Sequence, residues 1–148
     1  MPELVRLRGV KLPVANLPRS LEFYREVFGF APWLEFPDSD GVVRGVAGDL
    51  PGCEGGLALR ETPEAHSQPG LELLLGVADR AAIEEWTAHL DAAGVAHSPV
   101  IDASVGWLVV LHDPDGHEIH LYTEAEHGID QTGRAGYGRR VPSGNVVS

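Results

Sequence analysis

The segment VANLPRSLEFYREVFGF, residues 14–30, has the pattern of an amphipathic helix with a defined start and end. Asn16 can cap the first turn, where Pro18 is tolerated because its missing N–H has no helical partner to lose. Gly29 supplies the left-handed backbone on which many helices end. The apolar residues that recur at helical spacing are Leu17, Leu21, Tyr24 and Phe28. The segment therefore predicts a helix that packs one face against the rest of the fold.

A second segment, VADRAAIEEWTAHLDAAGV at residues 77–95, repeats this design. Asp79 takes the capping position and Gly94 takes the terminating position. The apolar face consists of Ile83, Trp86 and Leu90. The two capping residues, Asn16 and Asp79, are 63 residues apart. This spacing predicts a duplicated unit.

Strand-like runs surround each helix in the same order, with one run before it and three after it. Turn-rich segments such as PDSDG (residues 37–41) and DPDG (residues 113–116) separate them. The first-unit strands are predicted at Leu7–Val14, Ala31–Phe36, Val42–Ala47 and Gly56–Glu61. The second-unit strands are predicted at Leu71–Val77, Ala96–Ile101, Trp107–Leu111 and Glu118–Thr123. The pattern predicts an α+β fold of two βαβββ units, at about residues 4–61 and 71–123.

Composition restricts the classes of function. The chain has 148 residues and a formal net charge of −11, which argues against binding to nucleic acid or to anionic membranes. Cys53 is its single cysteine, so an intrachain disulfide and a cysteine-based zinc site are excluded. No signal peptide and no apolar run near the ~20 residues of a membrane span are present, so we expect a cytoplasmic protein. Residues 124–148 lose periodicity and are predicted to be a mobile or loosely docked tail.

The two units, the opening LPVANLPRSLEFYREVFGF (residues 12–30) and the ending DPDGHEIHLY (residues 113–122) resemble the vicinal oxygen chelate superfamily. That superfamily includes glyoxalases, bleomycin-resistance proteins, fosfomycin-resistance enzymes and extradiol dioxygenases. The resemblance covers roughly residues 4–123, and it implies a single domain over residues 1–123. It further implies a curled mixed sheet around a ligand cavity, with the helices on the outer face and a homodimer as the assembly. It does not imply one reaction.

Strand alternation predicts which side chains face the cavity. In the last strand, Glu118, His120 and Tyr122 share one face, and the apolar residues between them face the helices. If DPDG is a four-residue loop with plain antiparallel register, Trp107 pairs with Tyr122. The face predicted to pack on the helices then consists of Leu108, Val110, Ile119 and Leu121.

The same alternation places Glu72, Lys11 and Arg60 on inward faces of their strands. Lys11 and Arg60 could neutralise Glu72 or receive an anionic ligand, and they could equally be solvated strand ends. Trp33 and Trp107 are either core residues or walls on which a flat ligand stacks. We therefore predict Lys11, Arg60, Trp107, Glu118 and Tyr122 as ligand-binding residues.

The resemblance also implies where metal ligands would lie, one on the first and last strand of each unit. The first-strand position falls on Gly9 and the fourth-strand position on Ala58, and neither side chain can bind a metal. Glu72 stands where the second unit usually has His, and His120 replaces the usual Glu. The alternative for Glu72 and His120 is a buried ion pair or a pair wetted by cavity water, which could still move protons.

Two protein ligands make a poor metal site, because catalytic zinc normally takes three and non-haem iron takes two His and one carboxylate. His112 or His117 could be a third ligand if a bulge or a register shift turned it inward. Without such a shift, both histidines are predicted to be polar because the hairpin end is wet. A divalent Zn, Ni, Mn or Fe ion is the cofactor that such a site could hold.

Three functions are compatible with these residues. The first is a small-molecule-binding protein with a degenerate metal site, which holds an aromatic or anionic organic ligand in the sheet cavity. The second is a metal-dependent lyase or isomerase of glyoxalase type, in which Glu72 and His120 are catalytic and Glu72 abstracts a proton next to a carbonyl. The third is an extradiol-type dioxygenase, which the visible ligands support least.

Overall fold

The structure of the protein, a computed structural model, describes residues 1–142. Two βαβββ units follow each other along the chain, as the sequence predicts. The first unit contains β1 (Gly9–Val14), α1 (Leu17–Phe28), β2 (Ala31–Pro37), β3 (Val43–Asp49) and β4 (Gly56–Glu61). The second contains β5 (Glu72–Val77), α2 (Arg80–Ala92), β6 (Ile101–Asp102), β7 (Gly106–His112) and β8 (Glu118–Glu126). The α+β prediction is confirmed.

Each unit forms its own four-stranded mixed sheet. The first sheet has the order β1-β4-β3-β2, with β1 and β4 parallel and the other pairs antiparallel. The second sheet has the order β5-β8-β7-β6. Contacts between residues group the chain into two compact bodies, whose bounds differ from those of the βαβββ units. The first body includes residues 112–118 together with residues 1–72. The turn between β7 and β8 therefore packs with α1 and the first sheet.

The predicted caps form the helix ends. The Asn16 side chain accepts the N–H of Arg19 at 3.0 Å, and Asp79 accepts the N–H of Ala82 at 2.9 Å. Gly29 has a φ of 69°, the left-handed conformation that lets its N–H return to the last turn of α1. No helix within residues 1–142 is long and apolar enough to cross a bilayer.

Strand β6 is much shorter than predicted. The sequence indicates a strand at residues 96–101, but regular pairing is limited to Ile101 and Asp102 opposite β7. His97 makes an isolated bridge to Leu111. Pro99 interrupts the run, because proline has no N–H to donate to a neighbouring strand.

The chain after β8 is docked at least as far as Gln131. Strand β8 continues to Glu126, beyond the predicted end at residue 123. His127 Nε2 lies 2.7 Å from the carbonyl oxygen of Ala103 and so donates to it, and Gln131 is buried and donates to the same oxygen at 3.2 Å. The last part of the predicted tail, residues 143–148, lies outside the described residues.

The hairpin of β7 and β8 corrects the predicted register. The N–H of Asp113 donates to the carbonyl of His117 at 3.0 Å, so these two residues close a turn over residues 114–116, and the pairing of β7 with β8 is shifted by one residue from that of a plain four-residue loop. A one-residue slip exchanges the two faces of a strand. The fully buried residues of the pair are Val109, Leu111, Ile119 and Leu121. The assignment of Leu108 and Val110 to the helix side was therefore wrong.

Candidate functional site

The exposed face of the first sheet has small side chains at its centre. One row of residues in register crosses all four strands and runs Lys11, Ala58, Ala47 and Leu34. In the next row, Gly45 on β3 lies between Arg60 and Phe36. Because glycine and alanine leave space above the strands, this face is hollow between its two edges.

A groove of about 370 Å³ occupies this hollow, and we call it the first-sheet groove. Leu34 and Phe36 on β2 form its apolar side together with Trp33, whose residue surface is 65% exposed. The pairing of β2 with β3 is irregular between Pro32 and Leu34. This bulge lets the consecutive residues Trp33 and Leu34 both border the groove, which regular alternation would prevent.

The opposite side of the first-sheet groove is cationic. Arg6, Arg8 and Lys11 border it, and Asp49 is the carboxylate among its lining residues. The Arg6 guanidinium donates to the backbone carbonyl of Glu54. Within residues 1–142, no ion pair engages any of these three cations. They therefore present their charge to whatever occupies the groove.

Arg60, predicted to face inward, is already engaged. Its guanidinium lies 3.0 Å from Asp38 Oδ1, and Asp38 also pairs with Arg44 at 3.0 Å. An anionic ligand at Arg60 would have to compete with that carboxylate.

A second cluster lies on the paired strands β5 and β8. Glu72, Glu118 and His120 each offer a ligand atom, and these atoms all lie within 4.8 Å of one another. His112 Nε2 is 3.7 Å from Glu118 Oε1 and thus stands beside the cluster. The sequence predicts that Glu72 and His120 lie together, and the structure adds Glu118, which was expected to contact ligand rather than metal. The shifted register places His112 on the side of Glu118.

The donor types of this cluster fit a divalent cation, since two carboxylates and one imidazole suit zinc, manganese or iron. The first sheet offers no further ligand at the positions implied by the resemblance. Ala58 lacks a donor, and a Cβ atom at Gly9 would lie 2.7 Å from the carbonyl oxygen of Gly56. Strand β1 is therefore too close to β4 for a ligating side chain at position 9. Glu72, Glu118 and His120 would hold a cation, which would supply a Lewis acid to a bound oxygen.

His117 corrects the prediction that the hairpin end is wet on both sides. It is 3% exposed, and its Nε2 lies 2.7 Å from the carbonyl oxygen of Pro13, to which it donates. His112, in contrast, has a side chain that is 57% exposed. The two histidines therefore lie in different environments, and His117 is not near the Glu72 cluster as a third ligand.

The carboxyl groups of the turn between β7 and β8 hold it to α1, and we call this set of contacts the turn lock. Asp113 accepts the Tyr24 hydroxyl at 2.8 Å and the backbone N–H groups of Asp115 and His117 at 2.9 Å each. Burial and the adjacent Asp113 carboxylate raise the pKa of Tyr24, which keeps the phenol protonated and donating. The side chain of Asp115 is 2% exposed and accepts hydrogen bonds from Ser20 and from the N–H of Ala15.

Asp113, Asp115 and His117 also come within 4.8 Å of one another. Their donor atoms are nevertheless engaged by the protein itself, through Tyr24, Ser20 and the backbone. A cation would have to displace these buried hydrogen bonds. We therefore assign this group to structure.

Trp107 and Tyr122 do not share a face, which corrects the predicted pairing. Arg80 at the start of α2 lies over the Trp107 ring, 5.7 Å from its centroid, and His127 meets the ring edge-on at 5.9 Å. The Tyr122 hydroxyl accepts the N–H of Val105 at 3.0 Å. Trp107 thus packs against α2, whereas Tyr122 fixes the turn before β7.

Comparison with known proteins settles the family. The model of the Glyoxalase/Bleomycin resistance protein/Dioxygenase superfamily matches residues 6–121. The chain belongs to this superfamily. The resemblance seen in the sequence is thus confirmed, and residues 122–142 with their docked segment lie beyond the matched part.

Several solved structures share the fold. A glyoxylase/bleomycin resistance protein/dioxygenase domain from Frankia sp. EAN1pec is 23% identical, with a TM-score of 0.70 over 86% of this chain and 96% of its own. TnmS3, an antibiotic binding protein from Streptomyces sp. CB03234, is 26% identical, with a TM-score of 0.67 over 83% of this chain and 98% of its own. A Glu-to-Gln mutant of the fosfomycin resistance protein FosX from Listeria monocytogenes, in complex with Mn(II) and 1S,2S-dihydroxypropylphosphonic acid, is 15% identical, with a TM-score of 0.65 over 81% of this chain and 93% of its own.

Proposed function

We propose that this superfamily member binds a small organic molecule in the first-sheet groove. The observation that carries the proposal is the groove itself, whose floor of Gly9, Ala47 and Ala58 lies between an aromatic side and a cationic side. A volume of about 370 Å³ lies in the range of pockets that hold small ligands. The antibiotic binding protein TnmS3 supports a binding role for a chain with this fold.

The floor residues favour binding over metal chemistry in this groove. Gly9 and Ala58 offer no ligand atom, so nothing on the floor competes with an organic molecule for the space. Trp33, Leu34 and Phe36 present apolar surface that is more than two-fifths exposed at each residue. Covering such surface with a flat ligand is favourable by roughly 25 cal/mol per Å² of apolar area removed from water.

Filling the groove is expected to remove ligand binding. Ala58→Trp places an indole over the floor, so flat aromatic probes such as 2-naphthamide and 2-naphthoate should lose measurable affinity in isothermal titration calorimetry. Ala58→Leu should weaken them less. Ala88→Trp, at an exposed position of α2, is the matched control and should bind as the wild type does. Unchanged affinity in a folded Ala58→Trp protein would overturn the proposal.

A metal-dependent lyase or isomerase of glyoxalase type is the second candidate function. The grouping of Glu72, Glu118 and His120 favours it, and FosX with Mn(II) gives an example of this fold with a bound metal. Glu72 and Glu118 are carboxylates suited to accept a proton from a carbon next to a carbonyl. The cluster contains one imidazole among its three groups, whereas non-haem iron oxygenases use two, so we do not propose the dioxygenase.

Metal titration tests the second function. Protein purified without an affinity tag is expected to bind one equivalent of Zn, Ni, Mn or ferrous ion. Glu118→Ala and His120→Ala should each weaken binding by more than about a hundredfold, since losing even an outer-shell partner costs ten- to a hundredfold. His66→Ala, an exposed histidine elsewhere, is the control. Equal metal affinity in the wild type, Glu118→Ala, His120→Ala and His66→Ala would contradict a metal site at this cluster.

A further inference from the structure

The charge of the first-sheet groove differs from that of the protein as a whole. The chain carries a formal net charge of −11, yet three of its eleven lysine and arginine residues border this one groove. Other arginines are engaged in ion pairs, with partners at 3.0 Å for Arg19, Arg44, Arg60 and Arg80. Arg6, Arg8 and Lys11 have no ion pair within residues 1–142. An unpaired cationic rim on an acidic protein selects what can occupy it.

The backbone fixes the arginines beside the groove. The carbonyl of Arg8 accepts the N–H of Gly56 at 2.9 Å, which extends the parallel pairing of β1 and β4 by one step. The Arg6 guanidinium reaches the carbonyl of Glu54. These contacts hold the segment before β1 along the start of β4. Arg8 and Lys11 are separated by three positions. Both lie beside the floor of the groove, which consists of Gly9, Ala47 and Ala58.

We propose that the ligand of the first-sheet groove is an organic anion with a flat apolar body. The proposal rests on the proposed binding function and adds the class of ligand. The apolar body lies on the floor of Ala47 and Ala58 against Trp33, where an aromatic ring can stack. The anionic group lies toward Arg8 and Lys11, whose side chains donate charge-assisted hydrogen bonds to a carboxylate, sulfonate or phosphate. The carboxylate of Asp49 lies at the edge of the groove, and its negative charge limits the space that the anion can use.

Matched probes of one shape separate charge from shape. Isothermal titration calorimetry compares 2-naphthoate with 2-naphthamide and 2-naphthylmethylamine, which are anionic, neutral and cationic at pH 7. Wild-type protein is expected to bind the anion about tenfold more tightly than the amide, as one or two hydrogen bonds to charged groups would give. The cationic amine should bind more weakly than the amide.

Charge-removing variants locate the effect. The double variant Arg8→Gln with Lys11→Gln should bind the anion no better than the amide. Arg25→Gln is the matched control, because Arg25 is an exposed arginine of α1 that does not border this groove. It should retain the full preference for the anion.

The outcomes distinguish this inference from the function on which it rests. Equal binding of anion and amide by the wild type would overturn the ligand class and leave small-molecule binding in place. A preference lost equally in Arg25→Gln would also overturn it, because the whole protein's charge would then be responsible. If none of the three probes binds, both the ligand class and the proposed groove are contradicted.

Discussion

Asp113→Ala is expected to lower the free energy of unfolding by about 3 kcal/mol, because the substitution leaves several buried donors without an acceptor. Asp113 is 5% exposed and accepts hydrogen bonds from Tyr24, from the N–H of Asp115 and from the N–H of His117. Loss of the turn lock should also disturb the start of β8, where Glu118 and His120 lie. Urea denaturation followed by circular dichroism measures the change.

Two variants show whether the turn lock is responsible. Tyr24→Phe removes one hydroxyl from the same set of contacts and should cost about 1–2 kcal/mol. Asp102→Ala removes an exposed carboxylate and should change stability by less than about 0.5 kcal/mol. A stability of Asp113→Ala close to that of Asp102→Ala would contradict the structural role assigned to the turn.

Gly48→Ala is expected to be comparably destabilising, for steric reasons. A Cβ atom at position 48 would lie 2.5 Å from the Cα of Pro32 and still closer to the carbonyl oxygen of Ala31. Both obstacles are backbone atoms, so β2 would have to move away from β3. Overpacking of this kind costs about 3 kcal/mol, which lowers the melting temperature by about 6–12 °C in a chain of this size.

The same change should weaken binding in the first-sheet groove, because β2 carries Trp33, Leu34 and Phe36. Gly55→Ala is the control, since the nearest atom to its added Cβ, the carbonyl oxygen of Leu7, lies at an ordinary 3.4 Å. Differential scanning calorimetry of both variants provides the comparison. Equal melting temperatures for Gly48→Ala and Gly55→Ala would contradict the close approach of β2 and β3.

The sequence predicts the helices and the duplication well because their signals are local. Asn16 and Asp79 cap the helices through contacts three residues away, and Gly29 ends α1 through its own backbone conformation. Such signals need no knowledge of distant parts of the chain. The short β6 also has a local cause in Pro99, which the strand prediction left out of account.

Local signals could not predict which side chains of β7 point toward the helices. Whether DPDG forms a plain four-residue loop or the turn closed by Asp113 and His117 depends on the Asp113 carboxylate, which is held from 89 residues away by Tyr24. His117, which sequence alone assigns to solvent, is buried and donates to the carbonyl of Pro13, 104 residues away. A buried Ser20 on the helix face that contacts the turn was the available signal, since a serine there needs a polar partner.

The groove was foreseen in part. Strand alternation places Lys11 inward, and the sequence indicates Trp33 as a residue on which a flat ligand could stack. The bulge that turns both Trp33 and Leu34 toward one groove has no clear sequence signature. Arg6 and Arg8 precede the first strand, where periodicity gives no direction. Glu118 lies with His120 because alternation places both on one face of β8, as predicted, whereas the position of His112 beside Glu118 depends on the corrected turn. The homodimer and the cytoplasmic location stay predictions.

A two-dimensional ¹H–¹⁵N NMR titration with 2-naphthoate tests the central claim most directly. We expect the largest shifts at the amides of Gly9, Lys11, Ala47 and Ala58 and at the indole N–H of Trp33. The result that would contradict ligand binding in the first-sheet groove is no change in these five signals, with the largest chemical-shift changes near Glu118 and His120 or after residue 126.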